Sequence, residues 1–160
     1  MFKTKNDLSE TVRGKAIELL NARLADAIDL QTQTKQAHWN VKGPDFIALH
    51  KLFDEVNEDV EDYVDDIAER VVQLGGVAEG TARIAAKRSS LSEYPTSAVD
   101  GRSHVDALSS ALAAFGKSAR KAIDTANDFN DLDTADLFTE ISRGVDKWLW
   151  FVEAHLQAER

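Results

Sequence analysis

From Pro44 to about Gln73 the chain runs without a glycine or a second proline. No other stretch limits the possible folds as strongly. Gly43 followed by Pro44 is the punctuation that closes one helix and opens the next, with proline in the first turn of the new helix. At about 100° per residue, Phe53, Val56, Val60, Val64, Ile67 and Val71 fall on one stripe. His50, Asp54, Glu61, Asp65 and Glu69 fall on a second stripe, roughly a quarter turn away. The first stripe suits a core. The second carries imidazole and carboxylate, the donor types of a metal cation.

His50 and Asp54 are neighbours one helical turn apart, and so are Asp65 and Glu69, so each pair can converge on one point. The two pairs cannot meet within one chain. Asp54 and Asp65 are separated by eleven residues, or roughly 16 Å of helix. A two-fold axis between Asp59 and Val60 removes the obstacle. Two antiparallel copies of the helix then place residue 50 opposite 69 and 54 opposite 65, twice over by symmetry. Such a pairing presses acidic faces together, at a cost that bound cations would offset. The plainer reading is that the carboxylates form a solvated face and that His50 and Asp54 are a surface pair. Spacing alone leaves both open.

Only two prolines in 160 residues, with long periodic segments around them, predict an all-α chain. Asp7 and Glu10 look like a capping box for a first long helix that runs to about Trp39. Ile17, Leu20, Leu24, Ala27, Ile28, Gln31 and Ala37 repeat along it at helical spacing. His38 and Trp39 close it, and the short Val-Lys-Gly turn implies antiparallel packing on the second helix. Gly75 and Gly76 end that helix. A short helical segment is expected at Thr81–Lys87. Residues 88–101, RSSLSEYPTSAVDG, then read as the long crossover between the second and third long helices of a four-helix bundle. The third runs from Arg102 or Ser103 to about Asn127. Val105, Leu108, Leu112, Phe115, Ala119 and Ile123 face inward, and His104 reads as structural. Asp133, at the end of an acidic turn, fits the N-cap of a fourth helix that reaches about Gln157. Leu137, Ile141, Val145, Trp148 and Phe151 lie on its inner side, extended by Leu156. Trp148 and Trp150 read as packing, and His155 as facing solvent or an interface. The organisation expected is one domain over 1–160, with a short polar tail at 1–6.

Composition excludes several chemistries. Cysteine is absent, so disulfides, thiolate zinc sites and cysteine-held iron–sulfur clusters are ruled out. No Gly-rich phosphate loop, His-Glu-x-x-His motif or nucleophile elbow occurs. The lack of a signal peptide or membrane-length apolar run leads to the expectation of a cytoplasmic protein with no membrane partner. The net charge of −9 suits attraction of cations and works against nucleic acid.

Three segments carry a family resemblance: TKQAHWNVKGPDFIALHKLFDEV, AERVVQLGGVAEGT and DTADLFTEISRGVDKWLWFVEAHL. They closely resemble the Dps family, the ferritin-like DNA-binding proteins from starved cells, and the similarity runs from about Lys15 to the end. The specific motif is a His, a second His twelve residues on, Asp four further, Asp eleven further and Glu four further. Here these are His38, His50, Asp54, Asp65 and Glu69. The resemblance implies a ferritin-like four-helix bundle with a short helix in the crossover, assembled as a dodecameric shell. It also implies a ferroxidase site between subunits, with His38, His50 and Asp54 from one chain and Asp65 and Glu69 from its mate. Iron(II) and hydrogen peroxide, more readily than dioxygen, would be the substrates, and iron(III) mineral the product. The larger ferritins' Glu-x-x-His motif is missing, which argues against an intrachain di-iron centre. Asp133 and Asp136 match acidic positions that line the family's pores, and Trp39 either packs or lies near the metal. Zinc or manganese held without iron turnover is a further possibility. Relatives bind DNA through long basic tails. Here only Lys3 and Lys5 precede Asp7, so the expectation is against direct DNA binding.

Overall fold

The computed structural model describes residues 1–157. Four long helices form two antiparallel hairpins. The first joins α1 (Glu10–Asn40) to α2 (Phe46–Gln73), and the second joins α4 (Gly101–Asp128) to α5 (Leu132–Glu153). The short α3 (Ala82–Arg88) lies in the crossover between the hairpins and packs on α1. Hairpin packs on hairpin through α1 against α4 and α2 against α5. Among the described residues there is no β-strand, only an isolated bridge between Lys42 and Asp100.

The apolar stripes meet in one continuous core. Phe53, Phe115 and Phe138 are fully buried, with Leu20, Leu24, Leu30, Ile67, Leu108 and Leu112 around them. Each such side chain contributes about 1.5–3 kcal/mol. On α2 the expected stripe is buried at Phe53, Val56, Val60, Ile67 and Val71, with Val64 half-buried. On α5, Phe138 and Val152 join Ile141, Val145 and Trp148 inside, whereas Phe151 lies at the surface. Trp150 is 63% exposed, which corrects its reading as a packing residue. The helix turns into a 3-10 segment, Ala154–Leu156, instead of running on to Gln157.

Helix ends also differ from expectation. Ser9, not Asp7, caps α1 by accepting from the Val12 amide, so Glu10 is the first helical residue and cannot complete a capping box. Pro44 sits in the turn before α2, because Gly43 takes φ +115° and its carbonyl accepts from Phe46. Asp131, not Asp133, caps α5, accepting from the Thr134 amide. At the other end of α2, Gly75 takes φ +85° and accepts from the Phe2 amide at 2.7 Å. A side chain there would stand 2.6 Å from the Phe2 carbonyl oxygen, so only glycine allows this approach.

The crossover is held by polar contacts from α1. Buried Asp26 accepts from the Ser90 amide at 2.6 Å and hydroxyl at 3.0 Å, and Asp29 accepts from the Ser89 hydroxyl at 2.6 Å. These bonds fix Ser89 and Ser90, where the chain leaves α3, and give the buried Asp26 carboxylate its partners.

Candidate functional site

The α1–α2 turn brings His38, in the last turn of α1, against His50, in the first turns of α2. Their rings stack with centroids 3.8 Å apart. Each ring is pinned by the other's backbone. His38 Nδ1 donates to the His50 carbonyl at 2.8 Å, and His50 Nδ1 donates to the His38 carbonyl at 2.9 Å. A carbonyl oxygen can only accept, so both protons belong on Nδ1. In the neutral ring this arrangement leaves the lone pair on Nε2.

Asp54 lies one turn beyond His50, with Oδ1 3.7 Å from His38 Nδ1. It also accepts from the Lys35 ammonium. That hydrogen bond, against a smaller opposing effect of burial, holds the Asp54 carboxyl below the usual carboxylate range. Lys35 is a residue the motif did not announce. It precedes His38 by three positions and so shares its face of α1, which was the available signal.

Asp65 and Glu69 are exposed, and among the described residues they make no ion pair or hydrogen bond that would tie them up. Their neighbour Asp66 is raised, first by burial and then by Glu140, Asp62 and Asp65. This face of α2 is thus strongly negative. One chain brings together His38, His50 and Asp54 but leaves Asp65 and Glu69 farther along α2. Among the described residues no group of three or more His, Asp or Glu side chains in one chain could hold a metal ion.

Trp39 is 68% exposed and is not a core residue. It lines a cleft of about 1080 Å³ between α1, α2 and the crossover, together with Asn57, Glu61 and Tyr94. Asp133 and Asp136 are exposed. Arg70, one residue after Glu69, reaches to 3.9 Å from Asp133 and donates to buried Asp131 at 2.9 Å and to the Thr134 hydroxyl at 3.1 Å. Nothing in the helical period points to this contact, which spans two elements. Lys3 and Lys5 are exposed, on a segment tied down by the Phe2–Gly75 bond and by the Arg13 side chain donating to the Leu8 and Leu74 carbonyls. His104 is buried and His155 exposed.

A family model for the ferritin-like domain matches residues 17–160. The DNA protection during starvation protein of Agrobacterium fabrum is 47% identical over 155 residues, covering 97% of this chain and 96% of its own. The chain belongs to the Dps family. Among solved Dps structures, DpsA14 from Streptomyces coelicolor superposes with a TM-score of 0.91 at 33% identity, covering 98% of this chain and 92% of its own. Dps from Microbacterium arborescens in its high iron form gives 0.86 at 34% identity, covering 92% and 96%. The ferritin-like bundle expected of a Dps chain, with its short crossover helix, is the architecture observed. No helix among the described residues is long and apolar enough to cross a membrane.

Proposed function

We propose that this chain is the subunit of a Dps ferroxidase and iron-storage shell that protects DNA and cell from peroxide damage. Its catalytic sites form between two-fold-related subunits. The observation that carries the reading is the reciprocal pinning of His38 and His50. It turns Nδ1–H of each ring toward backbone and leaves the Nε2 atoms as the available donors, with the Asp54 carboxylate one turn beyond His50. Such outer hydrogen bonds set tautomer and orientation in metal-binding histidines.

The antiparallel register supplies the rest. It brings Asp65 and Glu69 of the mate opposite Asp54 and His50. The same register sets exposed Phe46 and Ile47 against Gln73 and Val72 of the mate. There a shallow groove is lined by Ala68, Glu69, Val72, Gln73 and Ala78. Apolar knob and apolar groove therefore support the same pairing as the ligands do. Asp65 and Glu69 provide the main anionic ligation, His38 and His50 complete the shell directly or through water, and Asp54 assists. Two iron(II) ions each give one electron to hydrogen peroxide, whose O–O bond breaks to give water or hydroxide. Iron(III) is released inward as mineral. Twelve such subunits form the shell. Exposed Asp133 and Asp136 line its pores and concentrate iron(II) by their field. Trp39 flanks the site.

DNA compaction has weaker support. Lys3 and Lys5 lie on a tied segment, and each subunit carries a net charge of −9. Zinc or manganese could occupy the same donors, since chemistry of this type does not fix the metal. The test is anaerobic loading of metal-free protein with iron(II), then ultraviolet absorbance as peroxide or air is admitted. Rapid peroxide-driven oxidation supports a ferroxidase. Oxidation no faster than in protein-free solution refutes it.

A further inference from the structure

Beneath the turn that carries the two histidines lies a tyrosine–histidine unit that the function above does not use. Tyr94, from the crossover, and His104, from the first turn of α4, are 8% and 1% exposed. The Tyr94 hydroxyl is 2.6 Å from His104 Nδ1. His104 Nε2 is buried without a well-aligned hydrogen bond among the described residues, and the Asn40 and Ala98 backbone lies against the ring. Buried polar atoms are rarely left so.

The protonation pattern is set by burial. It holds the His104 imidazole below its ordinary value, against the pull of Asp100, and Lys42 acts in the same direction as burial. It pushes the Tyr94 phenol well above the ordinary tyrosine range. A protonated phenol therefore donates to a neutral imidazole. Residues next to the candidate metal ligands pack around the pair. The Asn40 backbone, two residues after His38, acts on the His104 ring. At the start of α4, a Cβ on Gly101 would touch the side chain of Leu49, the neighbour of His50, at 2.7 Å. Tyr94 and Trp39 line the same cleft.

We propose that Tyr94 is a redox-active residue, which supplies one electron to the iron–peroxide reaction while its phenolic proton passes to His104 Nδ1. The inference rests on the ferroxidase reading. Hydrogen peroxide takes two electrons, and a site holding a single iron(II) can give only one. Tyr94 gives the other. Its O–H bond breaks, the proton moves to Nδ1, and a neutral phenoxyl radical remains beside an imidazolium. With two protons from solvent, peroxide leaves as two waters and no hydroxyl radical is released. An oxidised phenol becomes a strong acid, so a base already hydrogen-bonded to it avoids a phenol radical cation. A later iron(II) returns the electron and His104 returns the proton, which restores the pair.

The chain has two tyrosines, Tyr63 and Tyr94, and this makes the test decisive. The assembled protein is loaded with one iron(II) per site, mixed with peroxide, frozen, and read by electron paramagnetic resonance. The expected result is a phenoxyl signal that narrows with ring-deuterated tyrosine, survives Tyr63→Phe and vanishes in Tyr94→Phe. His104→Gln should lower its yield at least fivefold. If Tyr94→Phe fails to fold, the deuterated Tyr63→Phe protein decides alone, because a narrowed signal there can come only from Tyr94. Iron(III) formed without a phenoxyl signal, or a signal retained in Tyr94→Phe, overturns the proposal and leaves the ferroxidase standing. No iron(III) in the unaltered protein overturns the ferroxidase, and this inference falls with it.

Discussion

A neutral histidine can offer either ring nitrogen as a donor, and at His38 and His50 two backbone carbonyls decide which one carries the proton. His38 and His50 hold each other's Nδ1 protons, so neither ring needs a carboxylate to orient it. Replacing both by alanine should slow peroxide-driven iron(II) oxidation at least about tenfold, or about 1.4 kcal/mol in the barrier. Stopped-flow absorbance would measure this, and an unchanged rate would sink the assignment. His104 gives a pH prediction. Its folded value lies below the ordinary 6.5, so the unfolded chain takes up the proton first as pH falls. Its contribution to stability is kept above that value and lost as pH drops below it. Thermal unfolding at about pH 7.5 and 5.5 should show a larger fall in midpoint for the unaltered protein than for His104→Gln. His50, Asp54, Asp65 and Glu69 could be grouped from the sequence because helix period determines who shares a face of α2, whereas His38, on α1, was named only by the family motif. The mutual Nδ1 bonds were not legible, because they depend on the angle of the α1–α2 turn. The role of Lys35 was hidden for the same reason, since its partner Asp54 is nineteen residues away on another helix.

At the scale of elements, the long helices followed from uninterrupted periodicity and their caps did not. Ser9 and Asp131 each stand two residues from a carboxylate, or two from the cap expected, and a short oxygen at either place can reach an orphan amide. What decided for Asp131 was Arg70, which buries against it from α2. Asp131 is therefore more than a cap. Asp131→Ala would strand the Arg70 guanidinium and unpair the start of α5, at a cost of about 3–5 kcal/mol. Ser9→Ala, at an exposed helix start, should cost about 1 kcal/mol or less. Denaturant titration of the two variants would test the contrast, and equal losses would show that the Arg70–Asp131 pair adds nothing. The path of the N-terminal segment was also beyond a reading by pattern. It depends on Gly75, whose missing side chain makes room for the Phe2 carbonyl.

At the scale of the whole molecule, a chain that exposes Phe46, Ile47, Val72 and Val77 around its acidic helix looks like half of something. The register that pairs residue 47 with 72 puts Ile47 of one copy on the apolar groove of the next. Ile47→Glu would bury a carboxylate there, beside Glu69, and should leave species smaller than the assembly formed by the unaltered chain. Sedimentation velocity would read this directly, and an unchanged oligomer would remove the register. The most direct test of the central claim is a mixing experiment. One variant lacks His38 and His50, the other lacks Asp65 and Glu69, and each alone should be inactive. If the site is shared between antiparallel copies, unfolding and reassembling the two at equal amounts rebuilds one complete site in each mixed pair. Peroxide-driven iron(II) oxidation should then return to about a quarter of the unaltered rate, as random pairing of a two-fold interface requires. Activity that stays at the level of the separate variants would contradict the shared site.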